Sequence, residues 1–437
     1  MNPVVNVAVA NVAKDVPPVI PPEPESIEDA GPSLGFLVDL ALKTIYFRGE
    51  LPAAQIADEL KLPYNGVVDK VLEFLKREEL AGISGSKGFG ERNFQYVVAP
   101  KGVERVREAL NRSLYVGPAP VPLDEYAAVV KGQTVARISV DPPRLREALQ
   151  HLVIDPRVLN RLGPAVNSGR SIFLYGPSGN GKTTIGEALG RLMVGHVFIP
   201  YAIEVGGHII KVYDSLIHKA VPDGAIALPA GKRPDRRWVL CRRPLVMAGG
   251  ELIMESLDLV YEEVAKYYEA PFQMKANGGL FLMDDFGRQQ VRPRDLLNRW
   301  IVPLEKRVDF LALHTGKKIE VPFDVLIVFA TNIAPRELVD EAFLRRIRHK
   351  IEIVNPTLDE FRQIMQRVCA SKDVPFSLPG FQYLIQEHYT VADRDLKAVH
   401  PRDVIDQIVD IAEYQRVRPE MTKELIDEAC SSYFVKL

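Results

Sequence analysis

The feature that most constrains this chain is an octapeptide, Gly176-Pro177-Ser178-Gly179-Asn180-Gly181-Lys182-Thr183, set directly after the apolar run Ser171-Ile172-Phe173-Leu174-Tyr175. The run is the right length for a buried parallel strand, and Thr184 to Leu192 reads as a helix. Strand, G-x-x-x-x-G-K-[ST], helix is the context that marks a phosphate-binding P-loop. The glycines let backbone N–H groups converge on phosphate oxygens, and the helix N-terminus adds a favourable dipole. Residues Gly176 through Thr184 are therefore the candidate ATP-binding segment. Lys182 is placed to reach the β- and γ-phosphates, and the Thr183 hydroxyl to ligate Mg²⁺.

A magnesium-holding acid belongs on a neighbouring strand, and Leu280-Phe281-Leu282-Met283-Asp284-Asp285 is an apolar strand ending in two carboxylates. Asp284 is the candidate metal residue. Asp285 stands where a carboxylate would orient the attacking water. P-loop ATPases usually carry a glutamate there, and aspartate is one methylene shorter, so the residues support ATP binding more strongly than fast turnover. The alternative for Asp285 is a turn or capping carboxylate. A further buried strand, Val325-Leu326-Ile327-Val328-Phe329-Ala330-Thr331-Asn332, also ends in a polar pair.

Taken in this order, the three elements resemble the AAA+ ATPase superfamily. The resemblance covers roughly residues 130–437. It implies that Asn332 is the sensor 1 residue, which positions the lytic water near the γ-phosphate. It also implies that Asp340-Glu341-Ala342-Phe343-Leu344-Arg345-Arg346-Ile347 supplies an arginine finger, which stabilises charge on a phosphoryl group held by a neighbouring subunit. Sequence does not choose between Arg345 and Arg346. In the C-terminal part, His400-Pro401-Arg402-Asp403-Val404 resembles the sensor 2 segment, so Arg402 would reach the nucleotide from the lid. Two stretches, 275–282 and 296–305, are similar to the helix-2-insert branch that includes MoxR-like ATPases. Gly207 to Ala276 is long enough for that branch's insertion. Its basic loop, Lys232-Arg233-Pro234-Asp235-Arg236-Arg237-Trp238, reads either as a pore or partner surface or as a solvated hairpin tip.

Upstream, residues 1–33 hold seven prolines and no aromatic residue, which predicts a disordered tail. Residues 34–116 then show three short amphipathic helices (the third from Pro63 to about Leu80), two extended runs around Gly85, Gly88 and Gly90, and a last helix from about Lys101. That is the order of a winged helix. The candidate recognition helix, from Tyr64 to Lys76, balances Lys70 and Lys76 with Asp69 and Glu73. This charge balance favours a protein-docking role over DNA contact. Pro118, Pro120 and Pro122 predict a linker over 117–129. An α/β ATPase core with a parallel sheet over 130–354 and a helical lid over 355–437 complete the expected organisation.

The formal net charge of −2 argues against a protein that wraps nucleic acid. Cys241, Cys369 and Cys430 have no paired spacing, so they read as small buried hydrophobes in a reducing cytoplasm. No apolar run is long enough to suggest membrane insertion. The expectation is a cytoplasmic, Mg²⁺-dependent ATPase. It would form a homo-oligomer, in the manner of a ring, that remodels a protein client. A DNA-bound regulator or loader and an ATP switch with little turnover are the alternatives.

Overall fold

A computed structural model of the chain describes residues 19–222, 233–338 and 344–434. Its centre is a five-stranded sheet in which every pairing is parallel. In spatial order the strands are Leu245–Ala248, Leu280–Met283, Leu326–Thr331, Ile172–Tyr175 and His349–Glu352. The strand that is first in the chain lies between the fourth and the fifth. Side chains alternate across the sheet with the two-residue period of a strand. Ile172, Leu174, Leu280, Leu282 and Val328 face one apolar layer. Phe173, Phe281, Met283 and Phe329 face the other. Helices Pro142–Leu149, Pro156–Asn167 and Lys182–Leu192 cover the first face through Leu145, Leu162, Ile185 and Leu189. Trp300 and Phe286 close the second, with Phe281 and Trp300 edge to face at 5.6 Å. Each such aromatic stabilises the fold by roughly 1.5–3 kcal/mol through burial. The reading of an α/β protein with helices on both faces of a parallel sheet is therefore correct.

The strand Leu245–Ala248 falls inside the stretch 207–276, which is long enough to hold the expected insertion. The stretch is thus divided by this edge strand, one part preceding it and one following it. Much of it builds a second sheet in the order Val260–Glu262, Tyr267–Glu269, His208–Lys211, Ala202–Val205 and Val121–Pro122, beside the antiparallel pair His196–Pro200 and Trp238–Arg242. The hairpin Val308–Ala312 with Lys318–Pro322 adds Leu311 and Val321 to its core.

The expected linker over 117–129 is part of this body. Val121 pairs in parallel with Ile203, a helix runs Leu123–Gly132, and both Val121 and Tyr126 are fully buried. The prolines mark a strand entry and a helix cap rather than a flexible spacer.

Residues 34–112 form helices Leu34–Arg48, Ala53–Leu60, Asp69–Arg77 and Pro100–Arg112 with an antiparallel sheet of Glu50–Pro52, Phe94–Val98 and Ala81–Ser86. The predicted third helix is shorter than expected. Asn65 is extended and Gly66 adopts φ 84°, which breaks the helix before Asp69.

The disorder expected for residues 1–33 does not hold over 19–33. Residues 1–18 lie outside the described residues. Asp235 N–H donates to the Pro21 carbonyl and Glu23 N–H to the Arg233 carbonyl, while Ser26 caps a short helix at Ile27–Ala30. Composition missed this because the segment supplies little core of its own. It borrows one, its Ala30 packing into the apolar cluster of the N-terminal helices.

The loop 233–238, expected to face a pore, a partner or solvent, is an internal joint. Lys232 lies outside the described residues. Arg237 is 1% exposed, pairs with Asp235 at 2.7 Å, and donates to the carbonyls of Ala30 at 2.6 Å and Pro120 at 3.3 Å. Arg236 reaches Asp58 of the N-terminal module at 2.8 Å. A buried guanidinium needs several acceptors, and three separate segments supply them here.

The last body is helical: Leu358–Ser371, Leu378–Ile385, His400–Gln415 and Lys423–Tyr433 around Phe361, Leu384, Ile405 and Ile426. Thr357 and Glu360 form a capping box at its start. Among the described residues no helix is long and apolar enough to cross a membrane.

Candidate nucleotide site

The P-loop sits at the C-terminal end of Ile172–Tyr175, between the fourth and fifth strands of the chain, where connections diverge to opposite sides of the sheet. Open α/β sheets bind ligands at such a reversal of strand order. Gly176, Gly179 and Gly181 take φ 136°, 83° and 78°, a backbone that other residues adopt only with strain. A Cβ on Gly176 would also collide with the Ile353 carbonyl. The helix from Lys182 begins without a side-chain cap, which leaves its first N–H groups directed at the loop.

Lys182 Nζ donates to the carbonyls of Gly176 at 2.9 Å and Pro177 at 2.8 Å. Burial holds this ammonium below the usual lysine range, opposed by the charges of Asp285 and Asp284. Thr183 Oγ1 donates to Asp284 Oδ1 at 2.7 Å. Two hard oxygens from adjacent elements thus meet beside the loop, a donor set suited to Mg²⁺, which keeps several waters and takes phosphate oxygens as further ligands. Among the described residues no group of three or more His, Cys, Asp and Glu could hold a metal ion. A Mg²⁺ at this site would rest on Thr183, Asp284 and the nucleotide.

Asp285 is exposed and adopts φ 48°, the left-handed region that Asp tolerates better than most side chains. The turn that holds it is pinned to the next strand. Phe286 N–H donates to the Ala330 carbonyl at 2.8 Å, and Thr331 Oγ1 to the Phe286 carbonyl at 2.6 Å. Asn332 follows at once, and its Oδ1 is buried with no hydrogen-bond partner. An orphaned amide oxygen costs about 1–3 kcal/mol. It directly follows the strand Leu326–Thr331, as an acceptor with no donor among the described residues.

The two candidate finger arginines lie at the opposite end of the sheet. Ser171, which precedes the P-loop strand, donates from Oγ to the Arg346 carbonyl at 3.5 Å. A strand of four residues, roughly 13 Å long, therefore separates this segment from its own P-loop. Arg346 pairs with Glu305 at 2.6 Å, whereas Arg345 is exposed. The expected finger segment extends over Asp340 to Phe343, which lie outside the described residues. Arg402 is 62% exposed on its side chain and pairs with Asp403 at 2.9 Å.

The lid meets the P-loop through residues that the sequence did not single out. Val399 N–H donates to the Gly179 carbonyl at 2.9 Å, and Ala398 N–H to Asn180 Oδ1 at 3.1 Å. Asn180 Nδ2 donates to Asn355 Oδ1 at 2.8 Å. Beside these contacts a cavity of about 270 Å³ opens between the P-loop helix and the lid. Val153, Ile154, Gly181, Ile185, Arg367 and Ala398 line it. No linear motif marks this group, which comes from several distant segments of the chain. The one available signal was Asn180, a polar side chain at a variable position inside the octapeptide.

The fold and the loop define a P-loop α/β protein. Residues 357–432 match a family described as a domain of unknown function, DUF8689. No curated protein matches the chain. Among solved structures, the chain is similar to NtrX from Brucella abortus in complex with ADP, with 14% identity and a TM-score of 0.39 over 75% of this chain and 65% of that one. It is also similar to a variant of Thermotoga maritima RuvB, with 11% identity and a TM-score of 0.38 over 64% of this chain and 70% of that one. The chain thus spans about two thirds of the NtrX structure's length.

Proposed function

We propose that this protein is a Mg²⁺-dependent AAA+ ATPase that works as a homo-oligomer and remodels a protein partner. The observation that carries the reading is the meeting of Thr183, Asp284 and Lys182 beside a glycine loop that the lid touches through Val399 and Ala398. Lys182 exchanges its loop carbonyls for β- and γ-phosphate oxygens. Thr183 and Asp284 would hold the magnesium, whose charge would offset that of the phosphates. Asp285 and the unpartnered Asn332 oxygen orient the attacking water. The cavity beside Ile154 and Ile185 takes the base, so nucleotide occupancy sets how the lid sits.

The position of Arg345, exposed at the far end of the sheet, supports action on a neighbour's nucleotide. Arg346, engaged by Glu305, suits a role in holding that segment. Arg402 is a weaker lid candidate than the backbone contacts at Ala398 and Val399, because its charge is spent on Asp403.

The helix–strand–helix–helix–hairpin order of residues 34–98 supports the winged-helix reading, and its surroundings favour protein docking over DNA. The Glu25 carbonyl occupies the space where Gly66 would carry a Cβ, so the N-terminal segment covers the start of the candidate recognition helix. That end is the part of such a helix that enters the major groove.

The test is ATP turnover by the purified protein over a concentration series, with Lys182→Ala as the blank. Activity that rises more steeply than protein concentration is expected. Bound ATP without turnover at any concentration favours the switch reading, which the short, exposed Asp285 makes specific. Failure to bind ATP at all refutes both.

A further inference from the structure

A second cavity, of about 870 Å³, lies at the other end of the molecule's core, away from the P-loop. Its wall carries Lys131, Arg137, Arg170, Lys306, Arg307 and Arg348. Only Glu320 and Asp324 oppose these six positive charges among the residues that line it. The Asp324 carboxylate is held in place, accepting from Thr134 Oγ1 at 2.8 Å and from Val135 N–H at 2.9 Å. Six positive charges against two negative ones leave the cavity with a net positive field.

The basic groups come from separate segments, and two of them, Arg307 and Arg137, are held by backbone carbonyls. Arg307 has a left-handed backbone at φ 62°, and its guanidinium donates to the carbonyls of Val325 at 2.9 Å and of Gly169. Gly169 adjoins Arg170, so two guanidinium groups share one wall. Burial and the neighbouring charge of Arg170 both push the Arg307 guanidinium below the usual arginine range, against Asp324. Arg137 donates one N–H to the Gly132 carbonyl at 3.0 Å and keeps its other donors. Val130, Val308 and Val321 supply an apolar surface beside them. Clustered like charges are costly unless a counter-ion offsets them, so the arrangement calls for an anionic ligand.

We propose that this cavity is a second small-molecule site that binds a phosphorylated ligand of nucleotide size, its phosphates on the arginines and its flat body against the valine wall. Guanidinium forks suit phosphate oxygens, which they meet through paired hydrogen bonds. The volume falls within the ~300–1,000 Å³ of small-molecule sites, whereas a nucleic-acid strand needs a continuous groove. The position gives the site a route to the P-loop. Ser168 and Arg170 lead directly into the P-loop strand, and Arg348 leads into the strand paired with it. A ligand that draws these loops together acts on the base of both strands.

The experiment is equilibrium dialysis of labelled ADP with Mg²⁺ against the full-length protein. It is run alongside Lys182→Ala, Arg170→Glu, Lys131→Glu and the combination of Lys182→Ala with Arg170→Glu. Lys182→Ala is expected to retain one equivalent of ADP. Arg170→Glu in that background should weaken the residual binding by about tenfold or more, as expected for losing a charge-assisted contact. Lys131→Glu, on an exposed helix end, should weaken it with no change in melting temperature, which guards against a folding defect at Arg170. Adenosine should not compete for the residual equivalent, and pyrophosphate should. No residual equivalent in Lys182→Ala, which is also the result if a neighbouring copy fills the cavity, overturns the proposal. Residual binding that is indifferent to both charge reversals, or displaced equally by adenosine, overturns it too. Failure of the P-loop reading gives a different pattern, in which Lys182→Ala binds as much ADP as the wild type.

Discussion

Thr183 Oγ1 donates a 2.7 Å hydrogen bond to Asp284 Oδ1, and this contact joins residues 101 positions apart in the chain, one in the first turn of a helix and one just past the end of a strand. A helix start and a strand end are thereby set at the spacing of two ligands on one small cation. The bond is partly exposed, so it contributes little to stability, on the order of 1 kcal/mol. Its value is positional. Thr183→Val and Asp284→Asn should each leave the melting temperature within a few degrees of wild type. Each should weaken Mg²⁺-dependent nucleotide binding by about tenfold or more, read by titration with and without Mg²⁺. Equal loss in the absence of Mg²⁺ would count against the metal assignment.

Asp285 separates motor from switch. If Asp285 orients the attacking water, Asp285→Asn should lower turnover by about a hundredfold or more while nucleotide affinity changes little. Asp285→Glu restores the longer reach and should raise turnover or leave it unchanged. Steady-state rates together with binding constants check both.

Arg345 and Arg346 should behave differently. If Arg345 acts on a neighbour, mixing Arg345→Ala with Lys182→Ala subunits restores some complete sites, and activity exceeds that of either variant alone. Arg346→Ala frees Glu305 and should lower stability by about 1 kcal/mol or less, as for a partly exposed ion pair. Absence of recovery in the first mixture would tell against action between subunits.

His400 should make the C-terminal helical body less stable in acid. Burial, with Lys397 and Arg394 nearby, pushes its imidazole down from 6.5 to about 4. Tyr389 and Phe434 pack around the ring. Between pH 6.5 and 4 the unfolded chain binds the proton and the folded one does not, so stability rises with pH through that window. The loss on acidification, complete below about pH 4, is up to about 3 kcal/mol. Denaturant unfolding at pH 7 and pH 4.5 should show it in the wild type, and His400→Phe should flatten the difference.

Arg237 should be the costliest single truncation in the joint between the N-terminal module and the inserted sheet. Arg237→Ala leaves Asp235, which is 1% exposed, without its counter-charge and strands the carbonyls of Ala30 and Pro120. A loss of about 3–5 kcal/mol is expected in denaturant unfolding. Limited proteolysis should then cut within residues 19–33 first. A loss below about 1 kcal/mol would show that the joint is not held by this network.

The parts that were legible in the sequence are those whose physics is local. A phosphate cradle needs consecutive backbone N–H groups and glycines that tolerate positive φ, so Gly176 to Thr183 announces itself in eight consecutive positions. Buried parallel strands are short and apolar, which made Ile172–Tyr175, Leu280–Met283 and Leu326–Thr331 visible, while Leu245–Ala248 was hidden between inserted strands. Arg237 could not be read correctly. A basic loop and a buried arginine have the same local composition, and only acceptors from residues 30, 120 and 235 distinguish them. Pro118 to Pro122 likewise reads as a spacer until Val121 finds Ile203 across the inserted sheet.

Sequence by itself determined the glycine-rich loop after the strand, the acidic strand end, the alternating apolar strands and the helical C-terminal body, because each is set by spacing within one stretch of chain. Tertiary structure alone decided the rest. It set the order of the five strands, the packing of residues 19–33 against the inserted sheet, the seating of Val399 on Gly179 and the convergence of Arg137, Arg170 and Arg307 on one cavity. These depend on burial and on which distant acceptor or apolar face is within a few ångströms, and no window along the chain carries that information.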